Sequence, residues 1–150
     1  MIDRENRSFY QFFVTATDQG EPALSDTILV EITILDENDN NPIFDEISYN
    51  ISLAEGTPQG FSVLKVNAKD EDADLFGKVC YALAQTDNSI FDLDTNTGVL
   101  STTSKVGALP RDYRMIINAT DKDPNNPRSS LLNVNVNIKV LQLVLSLIHI

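Results

Sequence analysis

A short acidic linker has the clearest chemical character of any stretch in this sequence. It ends at Pro42 and consists of Asp36, Glu37, Asn38, Asp39, Asn40 and Asn41. Carboxylate and amide oxygens, together with backbone carbonyls, are ligands for hard cations, and calcium takes six to eight of them in a flexible geometry. A solvated turn uses the same residue types, so the linker alone leaves both interpretations open. The cation site is favoured by further acidic residues elsewhere, at Asp3, Glu5, Asp70, Asp72 and Asp121.

Two β-structured segments flank the linker and would position it. Residues 27–35 before it and residues 47–53 after it alternate between apolar and polar side chains, as half-buried strands do. Residues 10–16 and 28–34 form a first pair of strands joined by a turn at 18–22. An isolated hairpin is marginal in water. We therefore expect the partner strands of this first pair to lie upstream of Met1.

After the linker, the sequence predicts a complete set of short antiparallel strands. They centre on residues 47–53, 64–68, 79–83, 90–93, 99–100, 113–119 and 132–140. About seven such strands in roughly 100 residues is typical of an immunoglobulin-like sandwich. The predicted fold is all-β, an immunoglobulin-like Greek-key β-sandwich in which one complete seven-stranded repeat follows the last strands of another. The predicted boundaries are 1–40 including the linker, 41–142 for the complete repeat, and a tail at 143–150.

Composition narrows the classes of partner. The net charge of −11 over 150 residues disfavours nucleic acids and anionic membranes, which attract basic surfaces, and suits a protein that gathers cations. One cysteine, Cys80, excludes a disulfide scaffold and a multi-cysteine zinc site. No signal peptide is visible, and the apolar run at 141–150 is shorter than the roughly 20 residues that span a bilayer. Residues 145–150 resemble a translated sequencing adapter, and we assign no function to the tail.

The sequence also repeats itself. Ala16-Thr17-Asp18 recurs as Ala119-Thr120-Asp121, and Ile34-Leu35-Asp36 recurs as Val140-Leu141-Gln142. The segment 2–5 recurs in weakened form at 109–112. The similar spacing of the three segments indicates tandem copies of one domain with insertions and deletions in the loops.

The order of these motifs resembles that of cadherin repeats. The motifs are Asp3-Arg4-Glu5, Ala16-Thr17-Asp18, the linker at 36–40, Ala54-Glu55-Gly56 and Asp70-Glu71-Asp72. Residues 91–94 and 97–100 also resemble the turn between the fourth and fifth strands of that family. The resemblance covers nearly all of residues 2–141, in an acidic style similar to protocadherins and to the Fat and Dachsous type.

The resemblance implies a calcium cluster, usually of three ions, at each junction between repeats. Its implied ligands are Asp3 and Glu5 of the upper repeat, the side chains of Asp36, Asn38 and Asp39, the backbone carbonyls of Glu37 and Asn40, and Asp70, Asp72, Asp121 and the Phe76 carbonyl of the lower repeat. Phe76-Gly77 stands where the family often has Asn-Gly, a change that a backbone ligand tolerates. Asp18 and Glu55 would belong to the neighbouring junctions.

Electrostatics gives such a cluster a mechanical role. Two like charges 4 Å apart repel by about 1 kcal/mol in bulk water and by more near a protein surface. We expect the junction to flex without cations and to become rigid with them. Sites tuned to roughly 10⁻⁴–10⁻³ M suffice outside a cell.

Other uses of these residues fail on spacing or on missing partners. An EF-hand loop beginning at Asp36 or Asp70 would need Gly at its sixth position and Glu at its twelfth, and neither residue stands there. The one histidine is His149, and Cys80 has no basic neighbour besides Lys78, so nucleophilic catalysis has no suitable base. Cys80 is expected to be a small semi-buried residue, with a surface thiol or an intermolecular pairing as the alternative.

Three Asn-X-Ser/Thr sequences, at Asn6, Asn50 and Asn118, are candidate glycosylation acceptors. They suit an extracellular, plasma-membrane location, and the resemblance implies that the full-length protein crosses the membrane once, outside this sequence. The favoured function is calcium-dependent cell adhesion, with another cadherin ectodomain as a homophilic or heterophilic partner. A mechanical spacer in a giant cadherin is the alternative. An extracellular enzyme is disfavoured, because the sequence offers no nucleophile–base pair.

Overall fold

The structure describes residues 1–86, 90–109 and 111–140, and alternating side chains form β-strands within each of these ranges. In this computed structural model, all the regular secondary structure within those ranges is β-strand, so the all-β prediction is confirmed there. The chain divides into two units. The first unit is Met1–Asn38, and the second unit begins at Asp39.

The first unit contains one antiparallel hairpin. Strands β1 (Phe9–Thr17) and β2 (Ser25–Thr33) pair along their whole length. At the turn, Oδ1 of Asp18 accepts hydrogen bonds from the backbone N–H groups of Gly20 and Leu24, both at 2.9 Å. The apolar side chains of the hairpin are largely exposed, with Phe12 at 46% and Ile28 at 59%. Local sequence is therefore enough to form this hairpin but not to bury it.

The second unit is built from three groups of strands. Its strands are β3 (Ile43–Phe44), β4 (Ser48–Ala54), β5 (Ser62–Lys65), β6 (Ala68–Lys69), β7 (Cys80–Thr86), β8 (Phe91–Leu93), β9 (Val99–Thr102), β10 (Asp112–Thr120) and β11 (Ser129–Lys139). The order β4-β11-β10-β7 makes a four-stranded sheet, β5-β9-β8 a three-stranded sheet, and β3-β6 a pair. β11 runs parallel to β4 and antiparallel to β10.

The core of the second unit comes from side chains that alternate along the strands. Those of β10 and β11 are at most 3% exposed: Tyr113, Met115, Ile117, Ala119, Leu132, Val134, Val136 and Ile138. The three-stranded sheet contributes buried side chains to the same core, including Phe91, Leu93 and Leu100. The Phe91 ring meets the Tyr113 ring edge to face, with centroids 5.2 Å apart. The two sheets therefore pack against each other through their inward faces.

The strand predicted at 64–68 is wrong in one respect, because it is two strands in different sheets. β5 ends at Lys65 and pairs with β9, whereas β6 begins at Ala68 and pairs with β3. Between them Val66 is fully buried, and its N–H donates to the Gly98 carbonyl at 2.9 Å. Alternation identified the buried side chains, but both strands share its period, so it did not reveal the change of sheet.

Two ends of strands also differ from expectation. β3 was not predicted, because two residues are too short to carry a pattern. The predicted strand at 132–140 ends at Lys139, and Val140 is 37% exposed. The tail at 143–150, with His149, lies outside the described residues.

Candidate calcium-binding residues

In the first unit, three expected ligands come together at the end of the hairpin opposite Asp18. Asp3 and Glu5 precede β1 and Asp36 follows β2, so strand pairing brings them to the same end. A carboxylate oxygen of Glu5 lies within 4.8 Å of one of Asp36. The side chain of Arg4 links the two, with Nη2 at 2.6 Å from Glu5 Oε1 and Nε in an ion pair with Asp36 Oδ1. Sequence reasoning did not predict this internal cation.

Asp3 itself organises the turn before β1. Its Oδ1 accepts a hydrogen bond from the Glu5 N–H at 3.1 Å, and its Oδ2 accepts one from Asn6 Nδ2 at 2.7 Å. Its carbonyl accepts from the Arg7 N–H at 3.0 Å. The turn thus holds Asp3 and Glu5 close to each other.

In the second unit, Asn40 joins the linker to Asp72. The Asn40 N–H donates to Asp72 Oδ2 at 3.1 Å, and Asn40 Nδ2 donates to Asp72 Oδ1 at 2.6 Å and to Asp39 Oδ1 at 2.9 Å. Two residues later Pro42 is fully buried and fixes the end of the linker. Arg128 adds a contact that sequence reasoning missed, since its Nη1 donates to Asn41 Oδ1 at 3.2 Å.

Three aspartates beside this linker are buried. Among the described residues, the polar or charged side chains that are buried are Asp70, Asp72, Asp121 and Thr102. Aspartate is almost never fully buried unless its charge has a partner. Asp121 is held by backbone N–H groups, with Oδ1 accepting from Asp123 and Oδ2 from Arg128, both at 2.9 Å. Of the four second-unit carboxylates expected as ligands around this linker, three are therefore buried, and the fourth, Asp39, is exposed.

Asp70 shows the electrostatic consequence of burying these aspartates. Its Oδ1 accepts from the Asp72 N–H at 3.0 Å, but its buried Oδ2 has no hydrogen-bond partner. Burial raises the pKa of Asp70 above its ordinary value, and the negative charges of Asp72 and Asp121 add to the rise, although the hydrogen bond from Asp72 opposes it. An unpartnered buried carboxylate oxygen costs free energy unless a cation or donor meets it.

The loop that carries Phe76 is held beside these acids. The N–H groups of Phe76 and Gly77 donate to the Ala73 carbonyl at 3.1 and 3.2 Å. A Cβ atom at Gly77 would collide with the Asp72 carbonyl, so only glycine fits there. The Lys122 N–H donates to the Leu75 carbonyl at 3.1 Å, which fixes the loop next to Asp121. The glycine is thus needed for the close approach of the two loop segments.

The remaining candidates lie elsewhere in their units. Asp18 is at the far end of the hairpin from Asp3 and Asp36. The Glu55 N–H donates to the Lys139 carbonyl at the end of β11, whereas the Asp121 N–H donates to the Arg128 carbonyl before its start. At about 3.3 Å per residue, the 11 residues of β11 separate Glu55 from Asp121 by on the order of 35 Å. Glu55 and Asp121 therefore lie at opposite ends of the second unit.

The donor set of each unit fits calcium. Its members are carboxylate, amide and carbonyl oxygens without a soft ligand, as hard cations require. In the second unit, the unpartnered Oδ2 of Asp70 is an atom that a cation would satisfy. The assignment of individual ligands, including Glu37, Asn38 and the Phe76 carbonyl, stays a prediction.

Comparison with known families identifies the domain. The family model described as the cadherin domain matches residues 49–139, which is more than half of the chain. The chain belongs to the cadherin domain family. This cadherin chain is similar to human protocadherin gamma-B5, with 35% identity over 121 residues, covering 80% of this chain and 13% of the relative. It is similar also to zebrafish (Danio rerio) protocadherin-19, with 31% identity, 89% of this chain and 14% of the relative.

Solved structures support the same fold. Three consecutive ectodomain repeats of mouse cadherin-23, EC22–24, superpose with a TM-score of 0.86 at 31% identity, covering 92% of this chain and 44% of that one. The protocadherin gammaB7 EC3–6 cis-dimer gives a TM-score of 0.84 at 27% identity, covering 93% and 34%. The predicted immunoglobulin-like sandwich of cadherin repeats is thereby confirmed. The chain spans only 13–17% of the length of its first protocadherin relatives. Within the described residues no helix is long and apolar enough to cross a membrane.

Proposed function

We propose that this cadherin chain binds calcium around the linker at 36–40 and belongs to the ectodomain of a calcium-dependent adhesion protein. The observation that carries the proposal is the burial of Asp70, Asp72 and Asp121 in the second unit. Three buried negative charges in one region are costly without a counter-charge. A bound divalent cation removes that cost.

The residues that would hold calcium come from both sides of the linker in the sequence. Asp3, Glu5 and Asp36 would contribute from the first unit, together with the Glu37 carbonyl and Asn38. Asp39, Asp70, Asp72 and Asp121 would contribute from the second, together with the Asn40 and Phe76 carbonyls, for a total of three ions. When bound, calcium supplies positive charge that offsets the repulsion among these carboxylates, so that binding stabilises the linker.

Membership of the cadherin domain family supports the proposal of adhesion through a second cadherin ectodomain. The gammaB7 relative is described as a cis-dimer, which supports cadherin–cadherin contact for that protein. For this chain we propose the same class of partner, homophilic or heterophilic, at the extracellular side of the plasma membrane. No catalytic role is proposed.

Limited proteolysis tests the calcium assignment on the 150-residue chain. A glutamate-specific protease should cut after Glu37, and calcium should slow that cut because the ligands order the linker, whereas a chelator should restore it. Calorimetry should show that Asp72→Ala raises the calcium Kd by roughly tenfold or more, since a lost charge-assisted contact is worth about 1.5–3 kcal/mol.

Asp94→Ala is the matched control for that experiment. Asp94 is also an acidic loop residue, but its Oδ1 accepts from the N–H groups of Thr97 and Asn96 at 2.7 and 3.0 Å within its own turn. Its removal should leave the calcium Kd unchanged. Equal losses in the two variants, or cleavage at Glu37 that ignores calcium, would show the ligand assignment to be wrong.

A mechanical spacer is the second candidate function. Human protocadherin Fat 4 is 34% identical to this chain, which covers 90% of its own length but 3% of that relative. As the alternative, we propose that the repeats of this chain set length and stiffness, while distant repeats of the full-length protein recognise the partner. Beads coated with the full ectodomain should aggregate in calcium if it is adhesive, and should stay dispersed if it acts only as a spacer.

A further inference from the structure

The outer face of the four-stranded sheet carries two rows of polar side chains that lie side by side. Strand register places Asn50, Asn135 and Arg114 in one row across β4, β11 and β10. It places Ser52, Asn137 and Asp112 in the neighbouring row. These side chains face outward because the residues between them, such as Tyr113 and Val136, are buried in the core. The rows line a groove of about 780 Å³.

Hydrogen bonds hold the amides of this face in defined orientations. Asn135 Nδ2 donates to Asn50 Oδ1 at 3.0 Å, and Asn137 Nδ2 donates to Asp112 Oδ1 at 2.7 Å. The Asn50 amide is thus held through its oxygen, and in the described part of the chain its Nδ2 makes no hydrogen bond. Asn50 is exposed and begins the sequence Asn50-Ile51-Ser52, which is a glycosylation acceptor.

The two other acceptor asparagines are less suited. Asn6 Nδ2 already donates to Asp3 Oδ2 at 2.7 Å, in the turn that holds two of the expected calcium ligands. Asn118 lies in β10, which has a paired strand on each side, and its buried Oδ1 has no hydrogen-bond partner to orient the amide. Asn50 instead lies on β4, at the end of the four-stranded order.

We propose that Asn50 carries an N-linked glycan, and that this glycan screens the polar groove from protein partners. This inference rests on the extracellular location in the proposed function. The donor is an oligosaccharide linked through a diphosphate to a membrane lipid. Asn50 Nδ2 forms a bond to C1 of the first sugar, the bond from C1 to the diphosphate oxygen breaks, the lipid diphosphate leaves, and one amide proton passes to solvent. Oδ1 keeps its carbonyl character and its hydrogen bond from Asn135.

The groove suits a sugar chain. Hydroxyl groups of a glycan can donate to Asp112 and to the amide oxygens, and can accept from the Asn137 amide and from Arg114. The volume lies in the range of roughly 300–1,000 Å³ that small-molecule sites have. Lys139, exposed at the end of β11, lines the same groove and reports on whether the glycan covers it.

The test uses the 150-residue chain secreted from mammalian cells behind an added signal sequence. Secreted and cell-associated protein are both digested, and glycosylated asparagines are identified by enzymatic deglycosylation in ¹⁸O-water. Asn50 should be occupied in the unchanged chain and in Ser48→Ala, an outward-facing change on the same strand, and should lose its glycan in Ser52→Ala. An unoccupied Asn50 in the unchanged chain overturns the assignment.

A second readout tests the screening of the groove. An amine-reactive reagent should label Lys139 less in the glycosylated chain than after deglycosylation, whereas Lys65, exposed on β5, should not change. Equal labelling of Lys139 in both forms would refute the screening of the groove, but not the attachment of a glycan to Asn50. Because the added signal sends the chain through the secretory pathway in any case, a calcium-independent linker with an occupied Asn50 would refute the proposed function alone.

Discussion

The hairpins β1–β2 and β10–β11 have the same pairing and opposite surroundings. Each pairs nine residues of its first strand, and Tyr10, Phe12 and Val14 correspond to Tyr113, Met115 and Ile117. The side chains of the second set are 2% exposed or less, whereas Phe12 and Val14 are 46% and 44% exposed. The difference lies in the neighbours. β10 and β11 are flanked by β7 and β4 and covered by the three-stranded sheet, and the first unit supplies no such elements.

The turns of the two hairpins repeat the comparison on a smaller scale. Asp18 accepts from the N–H groups two and six residues later, and Asp121 accepts from those two and seven residues later. Asp18 is exposed, but Asp121 is 2% exposed and lies near Asp70. One local motif thus gives a solvated turn in one place and a buried carboxylate in the other. Pairing and turn geometry are local properties, whereas burial depends on distant strands.

The largest expected difference is the loss of stability when a corresponding apolar side chain is truncated in each hairpin. Ile117→Ala should destabilise the second unit by roughly 2–5 kcal/mol, because it removes buried methyl groups and leaves a cavity. Val14→Ala, at the corresponding exposed position, should cost less than about 1 kcal/mol. Urea denaturation followed by circular dichroism measures both. Equal costs would mean that the first hairpin is buried as deeply as the second in solution.

An intermediate difference is expected at the two turns. Asp121→Asn should raise the calcium Kd of the linker by about tenfold, since a charge-assisted contact is worth roughly 1.5–3 kcal/mol. Asp18→Asn disturbs the same kind of turn at the other end of its hairpin and should leave that Kd unchanged. Calorimetric calcium titrations of the two variants decide between these expectations. If Asp18→Asn weakened binding as much, the assigned order of the repeats would be wrong.

The smallest expected effect is the acid response of the first turn. The N–H groups of Leu24 and Gly20 lower the pKa of Asp18 below its ordinary value of 3.8. A lowered folded-state pKa means that the stabilisation is present above the ordinary value and is lost as the pH falls through the folded-state pKa. A ¹³C titration of the Asp18 carboxyl should show a midpoint below 3.8. A midpoint at or above that value would contradict the turn geometry.

The local features of this protein could be predicted from its sequence. Alternation predicted the strands at 10–16, 113–119 and 132–140, the last of which ends at Lys139, because a half-buried strand needs apolar side chains at every second position. The types and order of the acidic residues gave the list of calcium candidates, which stays a prediction. They also gave the resemblance to cadherin repeats, which the match at 49–139 confirms. These features depend on neighbouring residues in the chain, so a short stretch of sequence is enough to predict them.

The tertiary structure decided what surrounds each of those features. Asp70 and Asp94 are both acids in loops, yet Asp70 is buried with an unpartnered oxygen and Asp94 is exposed in its own turn. The change of sheet at Val66, the parallel pairing of β4 with β11 and the ion pairs of Arg4 were likewise not visible in the sequence. Burial, sheet order and ion pairing depend on residues that are distant in the chain. Their energies arise only when folding removes water from those contacts.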